Sequence, residues 1–320
     1  MATLFTQHLY QPKNKSVVRL VRSFQLNYSH TFTKVRNQWL PAIREFLREE
    51  TGLKMHQKVI GTKIQKDSNI SFHFVTDREE TFLKLIDQHY LNLDFDEYTA
   101  FNKLRLQMQS SSRFFKKEGE GSAFLLDILE EKPHASFHEL ENYLDDYFKQ
   151  YDLNKLIQTL FKNAGRTADI WGTYTYASSR VEVYYVPLIL FCQINNLPLE
   201  HSILSTLVHE MAHAYHHLGK DKDNSQWSAM NVTDKHIVEG MAEYFTWLFI
   251  EAYKDNHPGM EKTYSCMFNC LADEYTCFKK WTPTYSKEAI KSALLSTRRK
   301  GVKDYNEFLK LLQSVKTIMH

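Results

Sequence analysis

A His-Glu-x-x-His pattern at residues 209–213 is the part of the sequence best suited to do chemistry. Apolar residues at spacings of three and four around it predict a helix. Residues four apart on a helix lie nearly one above the other, so His209 and His213 present two imidazoles to one point, which is half of a metal site. Glu210 is rotated by about 100° from His209 and lies beside the metal, where its carboxylate can act as a general base toward water.

A second group, Glu239 and Glu243, lies four residues apart on another predicted helix. A catalytic zinc usually takes three protein ligands and keeps one position for water, so we predict Glu239 as the third ligand. Glu243 is then expected to accept the free ring N–H of His209 or His213. His236 is a chemically acceptable alternative ligand, since three-histidine zinc sites exist. The alternative for both segments is a pair of exposed helix faces with solvated side chains.

Together, His209-Glu210-x-x-His213 and the later Glu239-Gly240-x-Ala242-Glu243-Tyr244 resemble the gluzincin metallopeptidases. The resemblance implies a zincin-like catalytic domain in which His209, His213 and Glu239 bind zinc and Glu210 is the general base. It also implies a protein or peptide substrate that lies along an edge strand. The Gly-x-Met-Glu-Asn segment of the aminopeptidase branch is missing, so an endopeptidase is expected.

Other classes of metal site remain possible. Metzincins need Gly and His three and six positions after the second His, but this chain has His216 and Gly219 there. A metal-dependent hydrolase or oxygenase on a non-peptide substrate could reuse the same ligands, and so could an inactive zincin-like binding module. Loss of Glu210 would mark the inactive module, and Glu210 is present. Three side chains are candidates for stabilising an oxyanion: His236, His257 and Tyr285.

The elements around these motifs predict an α+β fold that is mostly helical. Residues 168–176 and 180–186 are predicted to form two strands just ahead of the metal helix. Gly172 in the first strand fits either the close approach of another backbone or a bulge. Pro187 is expected to end the second strand, and Ser202 to cap the metal helix.

The N-terminal part of the chain is predicted to be a largely helical regulatory or substrate-selecting domain of residues 1–160, followed by the catalytic domain of residues 161–320. Apolar spacing over residues 16–50 predicts two helices, with Pro41 starting the second. Alternating residues within 57–76 predict a hairpin between residues 57–65 and 70–76.

Composition and charge set limits on location and partners. The chain has 320 residues, of which 43% are hydrophobic, enough to bury a sizeable core. Residues 1–60 carry ten Lys and Arg against three Glu, which would permit contact with nucleic acid, but these cations are spread over all faces of the predicted helices. Without a secretory signal or an apolar run of membrane length, the protein is expected to be cytoplasmic.

Three cysteines fall on one face of a predicted helix: Cys266, Cys270 and Cys277. A shared metal ion is one interpretation of this spacing. Cys277 would, however, lie about 10 Å beyond Cys270 along the helix axis, at about 1.5 Å per residue. We therefore predict cysteines of the core rather than a second metal site.

Overall fold

The structure is a computed structural model that describes residues 13–55, 58–60, 63–65, 71–73, 84, 87–88, 92–110, 137–152 and 171–318. Its described part is mostly helical, as the sequence predicted, and contains two small sheets. The helices are α1 Lys15–Thr51, α2 Phe95–Ser110, α3 Phe137–Gln150, α4 Tyr185–Asn195, α5 Leu199–Leu218, α6 Lys235–Tyr253, α7 Met260–Phe268, α8 Asp273–Thr276, α9 Lys287–Lys300 and α10 Tyr305–Ile318. The strands are β1 Lys58–Ile60, β2 Lys63–Gln65, β3 Ser71–His73, β4 Gly172–Thr175 and β5 Arg180–Val183.

The larger sheet has three described strands in the order β3-β5-β4. β4 and β5 are antiparallel and pair without interruption from Gly172↔Val183 to Thr175↔Arg180. β3 pairs parallel with β5, whereas β1 and β2 form a separate short hairpin. The predicted hairpin between residues 57–65 and 70–76 was therefore wrong. Parallel strands are joined by long connections, so no local sequence signal reveals which strand β3 pairs with.

Helix α1 is a single helix of 37 residues that continues through Pro41, so the prediction of two helices was wrong. A proline removes one backbone hydrogen bond and crowds the preceding turn. Buried side chains on both sides of it, such as Val35 and Leu47, anchor the helix in the core. α1 packs against α5, where the Tyr215 hydroxyl donates to the carbonyl of Arg44. This packing holds the helix together across the proline.

Helix α5 lies at the centre of the fold. Every residue from Ser202 to His216 is buried, because α1, α6 and the larger sheet all pack against it. α5 begins at Leu199 after Pro198, so the prediction that Ser202 caps this helix was wrong. The Ser202 hydroxyl instead lies 3.0 Å from the Cys192 sulfur. A helix covered on all sides can hold polar side chains away from bulk water.

The second predicted strand is shorter than expected. β5 ends at Val183, and α4 begins two residues later at Tyr185. Pro187 therefore lies in the first turn of α4 and does not end a strand. A proline is well tolerated there, because backbone N–H groups in the first turn of a helix have no acceptor within the helix. The N–H that proline lacks therefore costs no helical hydrogen bond.

One continuous set of buried apolar side chains joins α1 to the C-terminal half of the chain. Phe32 of α1 stacks on Tyr185 of α4 with ring centroids 4.1 Å apart. The predicted boundary between residues 160 and 161 falls between two described ranges, so the division into two domains stays a prediction. Among the described helices, none is both long and apolar enough to cross a membrane.

Pro41→Ala should raise the free energy of unfolding by about 1–3 kcal/mol, because alanine restores the backbone N–H and relieves the clash inside α1. Urea unfolding followed by circular dichroism measures this change. Pro41→Gly, which restores the N–H but adds chain flexibility, should gain less. Unchanged or lower stability in Pro41→Ala would show that packing on α5 requires the backbone geometry that proline imposes.

Candidate metal centre

Three possible ligand atoms converge between α5 and α6. The Nε2 atoms of His209 and His213 lie 3.1 Å apart. Glu239 Oε2 lies 3.3 Å from His209 Nε2 and 3.1 Å from His213 Nε2. Within the described part of the chain, this is the group of His, Cys, Asp and Glu side chains that could hold a metal ion. The structure thus brings together the three residues that the sequence predicted as ligands.

The spacing of these atoms suits a small tetrahedral ion. Zinc binds imidazole nitrogen and carboxylate oxygen at about 2.0–2.2 Å, which places neighbouring tetrahedral ligands about 3.3 Å apart. The observed separations of 3.1–3.3 Å match this value. Two imidazoles and one carboxylate also form a donor set that catalytic zinc sites use, with a fourth position left for water. The residues therefore fit a zinc ion.

The start of α6 fixes the position of Glu239. Asp234 caps the helix, and its carboxylate accepts a hydrogen bond from the backbone N–H of His236. Such a cap satisfies an N–H that has no partner within the helix. Glu239 follows in the second turn and Glu243 one turn later, so both carboxylates reach the His209 side chain of α5.

Gly240, the residue after Glu239, allows α6 to pack tightly against Cys277 and Trp281. A Cβ atom at this position would lie 2.5 Å from Cys277 Sγ and 3.0 Å from the Trp281 ring. Real Cβ atoms do not approach other atoms so closely, so a larger residue would push α6 aside. This packing gives a physical reason for the Glu-Gly pair in the sequence motif.

Opposite charges stabilise the buried cluster. Burial alone would raise the pKa of Glu239, but the charge of His213 and hydrogen bonds from both histidines hold that pKa well below its ordinary value. Burial alone would lower the pKa of His209, yet hydrogen bonds to Glu239 and Glu243 raise it well above its ordinary value. The two carboxylates therefore favour positive charge between the imidazoles. A divalent cation would supply that charge while the histidines stay neutral.

Glu243 supports one of the two histidines. Its Oε2 atom lies 2.8 Å from His209 Nδ1, and both side chains are buried. When Nδ1 donates to Glu243, the lone pair of His209 Nε2 faces Glu239 and His213. This is the contact that the sequence predicted for Glu243. His213 differs, because its Nδ1 atom is buried without an acceptor among the described residues.

Glu210 lies beside the ligand cluster, on the side of β4. Its side chain is buried and borders a pocket next to His209. A Cβ atom on Gly172 would lie 3.0 Å from Glu210 Oε1 and 2.7 Å from the carbonyl oxygen of Glu182. Gly172 is therefore explained by close approach of the backbone, and the uninterrupted pairing of β4 with β5 leaves no bulge there.

The three side chains proposed to stabilise an oxyanion lie elsewhere. His236 Nδ1 is 2.9 Å from Asp234 Oδ1, and its ring stacks on a tyrosine. His257 packs edge-on against Trp39. None of the three, Tyr285 included, borders the pocket beside Glu210. His236 also lies outside the candidate ligand group, contrary to the alternative that the sequence left open.

Two tyrosines that the sequence analysis did not single out border the pocket instead. The Tyr275 ring stacks on His209, with centroids 5.7 Å apart and an interplanar angle of 29°. Tyr264 is buried, and burial together with the charge of Glu243 raises its pKa well above the ordinary value, so its hydroxyl keeps its proton. Both follow α6 in the short helices α7 and α8. Their only sequence signal is the density of aromatic residues in that segment.

The cysteines do not form a second metal site among the described residues. Cys277 is buried, and its Sγ lies 3.0 Å from the carbonyl oxygen of His236. Cys266 and Cys270 are only half-buried, against the edge of the core. The prediction of core cysteines is therefore right for Cys277 and only partly right for the other two. α7 ends at Phe268, so the three residues do not share one helix.

Comparisons with protein-family models, with curated proteins and with solved structures find no match to this chain.

Loss of a ligand side chain should weaken metal binding far more than loss of a side chain that only contacts a ligand. Glu239→Ala should weaken the affinity for zinc by several orders of magnitude. His209→Ala and His213→Ala should weaken it as much, because each of the three variants removes one of three ligands. Glu243→Ala should cost about 10- to 100-fold in affinity, since it removes only the partner of His209 Nδ1. Competition with a coloured chelator measures these affinities.

The matched control is His236→Ala, which removes a histidine three residues before Glu239 without removing a ligand. It should bind zinc as tightly as the parent chain. Zinc lost in His236→Ala and kept in Glu239→Ala would contradict the ligand set.

Proposed function

We propose that the chain is a zinc-dependent endopeptidase of gluzincin type whose catalytic domain, residues 161–320, has a zincin-like fold. One observation carries this proposal. The Nε2 atoms of His209 and His213 and the Oε2 atom of Glu239 lie within 3.3 Å of one another, next to the buried carboxylate of Glu210. Three protein ligands with a neighbouring base are what metal-assisted hydrolysis requires.

Each residue of the site has a separate task. A bound zinc ion would lower the pKa of a water molecule toward about 7 and polarise the scissile carbonyl. Glu210 takes the proton of the attacking water and afterwards passes it to the leaving amine. Glu243 holds the His209 ring through the 2.8 Å contact to Nδ1. Burial of these groups strengthens their electrostatic interactions, because bulk water does not screen them.

β4 supports a peptide as the substrate. Among the described strands, β4 lies at one edge of the larger sheet and passes Glu210 at Gly172. An extended peptide can add to such an edge as a further strand, through main-chain hydrogen bonds that do not depend on its sequence. A substrate held along β4 would therefore have a backbone carbonyl near both Glu210 and the ligand cluster. Small non-peptide substrates would make no use of this edge.

Glu210→Gln should abolish most activity while leaving the ligands in place. General-base catalysis contributes about 10²- to 10⁴-fold, so turnover should fall by that factor while zinc content and folding stay unchanged. Mass spectrometry of an unbiased peptide mixture incubated with zinc-loaded protein measures cleavage. Glu200→Gln is the matched control, because Glu200 is exposed in the first turn of the same helix and should be dispensable.

Two results would contradict the proposal. Near-normal turnover by Glu210→Gln would show that another group is the base. An absence of cleavage by zinc-loaded protein, with no difference between the parent chain and Glu210→Gln, would favour a binding module or a non-peptide substrate.

A further inference from the structure

Three buried side chains near the end of α5 carry polar atoms that have no hydrogen-bond partner among the described residues. They belong to His216 of α5, to Trp227 in the segment that follows α5, and to Arg298 of α9, each at most 4% exposed. The atoms are Nδ1 and Nε2 of His216, Nε1 of Trp227, and Nε and Nη1 of Arg298. Buried polar atoms normally have a partner, so this group points to a bound polar species.

The three side chains lie in one region of the fold. The ring centroids of His216 and Trp227 are 6.0 Å apart. Arg298 Nη2 donates hydrogen bonds to the carbonyls of Gly219 and Ser225, which lie between the two rings along the chain. The guanidinium therefore packs against the segment that connects His216 to Trp227.

Arg298 is a buried cation that forms no ion pair with a carboxylate of the described residues. Asp221 acts on Arg298 electrostatically, but its Oδ2 atom accepts a hydrogen bond from Arg299 at 2.8 Å. Burial lowers the pKa of the Arg298 guanidinium to about 10, so the group stays charged at neutral pH. A buried charge is costly unless an opposite charge compensates it.

The unpartnered atoms are mainly donors. Nε and Nη1 of Arg298 and Nε1 of Trp227 carry hydrogens and cannot accept a hydrogen bond. Burial and the charge of Arg298 lower the pKa of His216 well below its ordinary value, so its neutral ring adds one N–H and one acceptor. Together these side chains present more N–H groups than one water molecule can accept. A small anion accepts more of them, and it also supplies the negative charge that Arg298 lacks.

We propose that His216, Trp227 and Arg298 form a binding site for one small monovalent anion of the size of chloride. The anion accepts hydrogen bonds from Trp227 Nε1 and from Nε and Nη1 of Arg298. It thereby ties α9 to the end of α5 and to the segment that follows. None of the three residues belongs to the candidate metal ligands, so the proposal does not depend on the peptidase function.

Chloride should therefore stabilise the folded chain without any metal. A ligand that binds only the folded state stabilises it by mass action, so each tenfold rise in chloride above its Kd should raise the folding equilibrium constant about tenfold. Urea unfolding of the metal-free full chain measures this effect, with chloride replacing gluconate at constant ionic strength. The line width of the chloride NMR signal reports binding to the same protein directly.

Two variants connect the effect to the proposed site. Arg298→Met removes the charge and should abolish the dependence on chloride, but it also removes the hydrogen bonds to two backbone carbonyls. Trp227→Phe is milder, because it removes one N–H and keeps an aromatic ring against His216. It should weaken chloride binding by about 10- to 100-fold, the usual worth of a hydrogen bond to a charged group.

Trp281→Phe is the matched control. Trp281 is equally buried, but its Nε1 already donates to the Tyr305 hydroxyl at 3.0 Å. This variant should lower stability and leave the dependence on chloride unchanged.

The proposal fails if chloride stabilises the parent chain no more than gluconate does, because ordered water would then be the partner of these atoms. It fails equally if the effect of chloride persists at full size in Trp227→Phe, or disappears to the same extent in Trp281→Phe.

Discussion

The contact between α5 and α6 at the two histidines is the interaction on which the rest of the site depends. It places two imidazoles and two carboxylates in a buried position, where the charge of each group is costly by several kcal/mol unless it is compensated. Compensation is mutual, because Glu239 contacts both histidines and Glu243 contacts His209. Removing Glu239 would take away the carboxylate that both histidines share. A divalent cation between them would complete the balance of charge.

Two glycines set the distances on which that contact depends. Gly240 lets α6 approach Cys277 and Trp281 on one side, while Gly172 lets β4 approach Glu210 on the other. Neither glycine has a positive φ, so each is required by the space around it and not by its backbone conformation. Tight packing at these two glycines thus helps to position Glu210 and Glu239.

The sequence predicted the side chains of the candidate metal cluster, because helical spacing fixes which side chains share a face. His209 and His213 required only the period of α5, and Glu243 only the period of α6. Long-range arrangements left no such signal. The parallel pairing of β3 with β5, the continuity of α1 through Pro41 and the stacking of Tyr275 on His209 depend on tertiary packing. His236 was considered as a ligand from its spacing, but its ring contacts Asp234 and lies outside the candidate ligand group.

Zinc K-edge X-ray absorption on protein loaded with one equivalent of zinc tests the central claim most directly, because it reports the atoms around the ion. The proposed site should give a shell of four nitrogen and oxygen atoms at about 2.0–2.2 Å, with the scattering pattern of two imidazoles. A sulfur shell at about 2.3 Å, or the pattern of three imidazoles, would contradict the assignment of His209, His213 and Glu239 as the ligands.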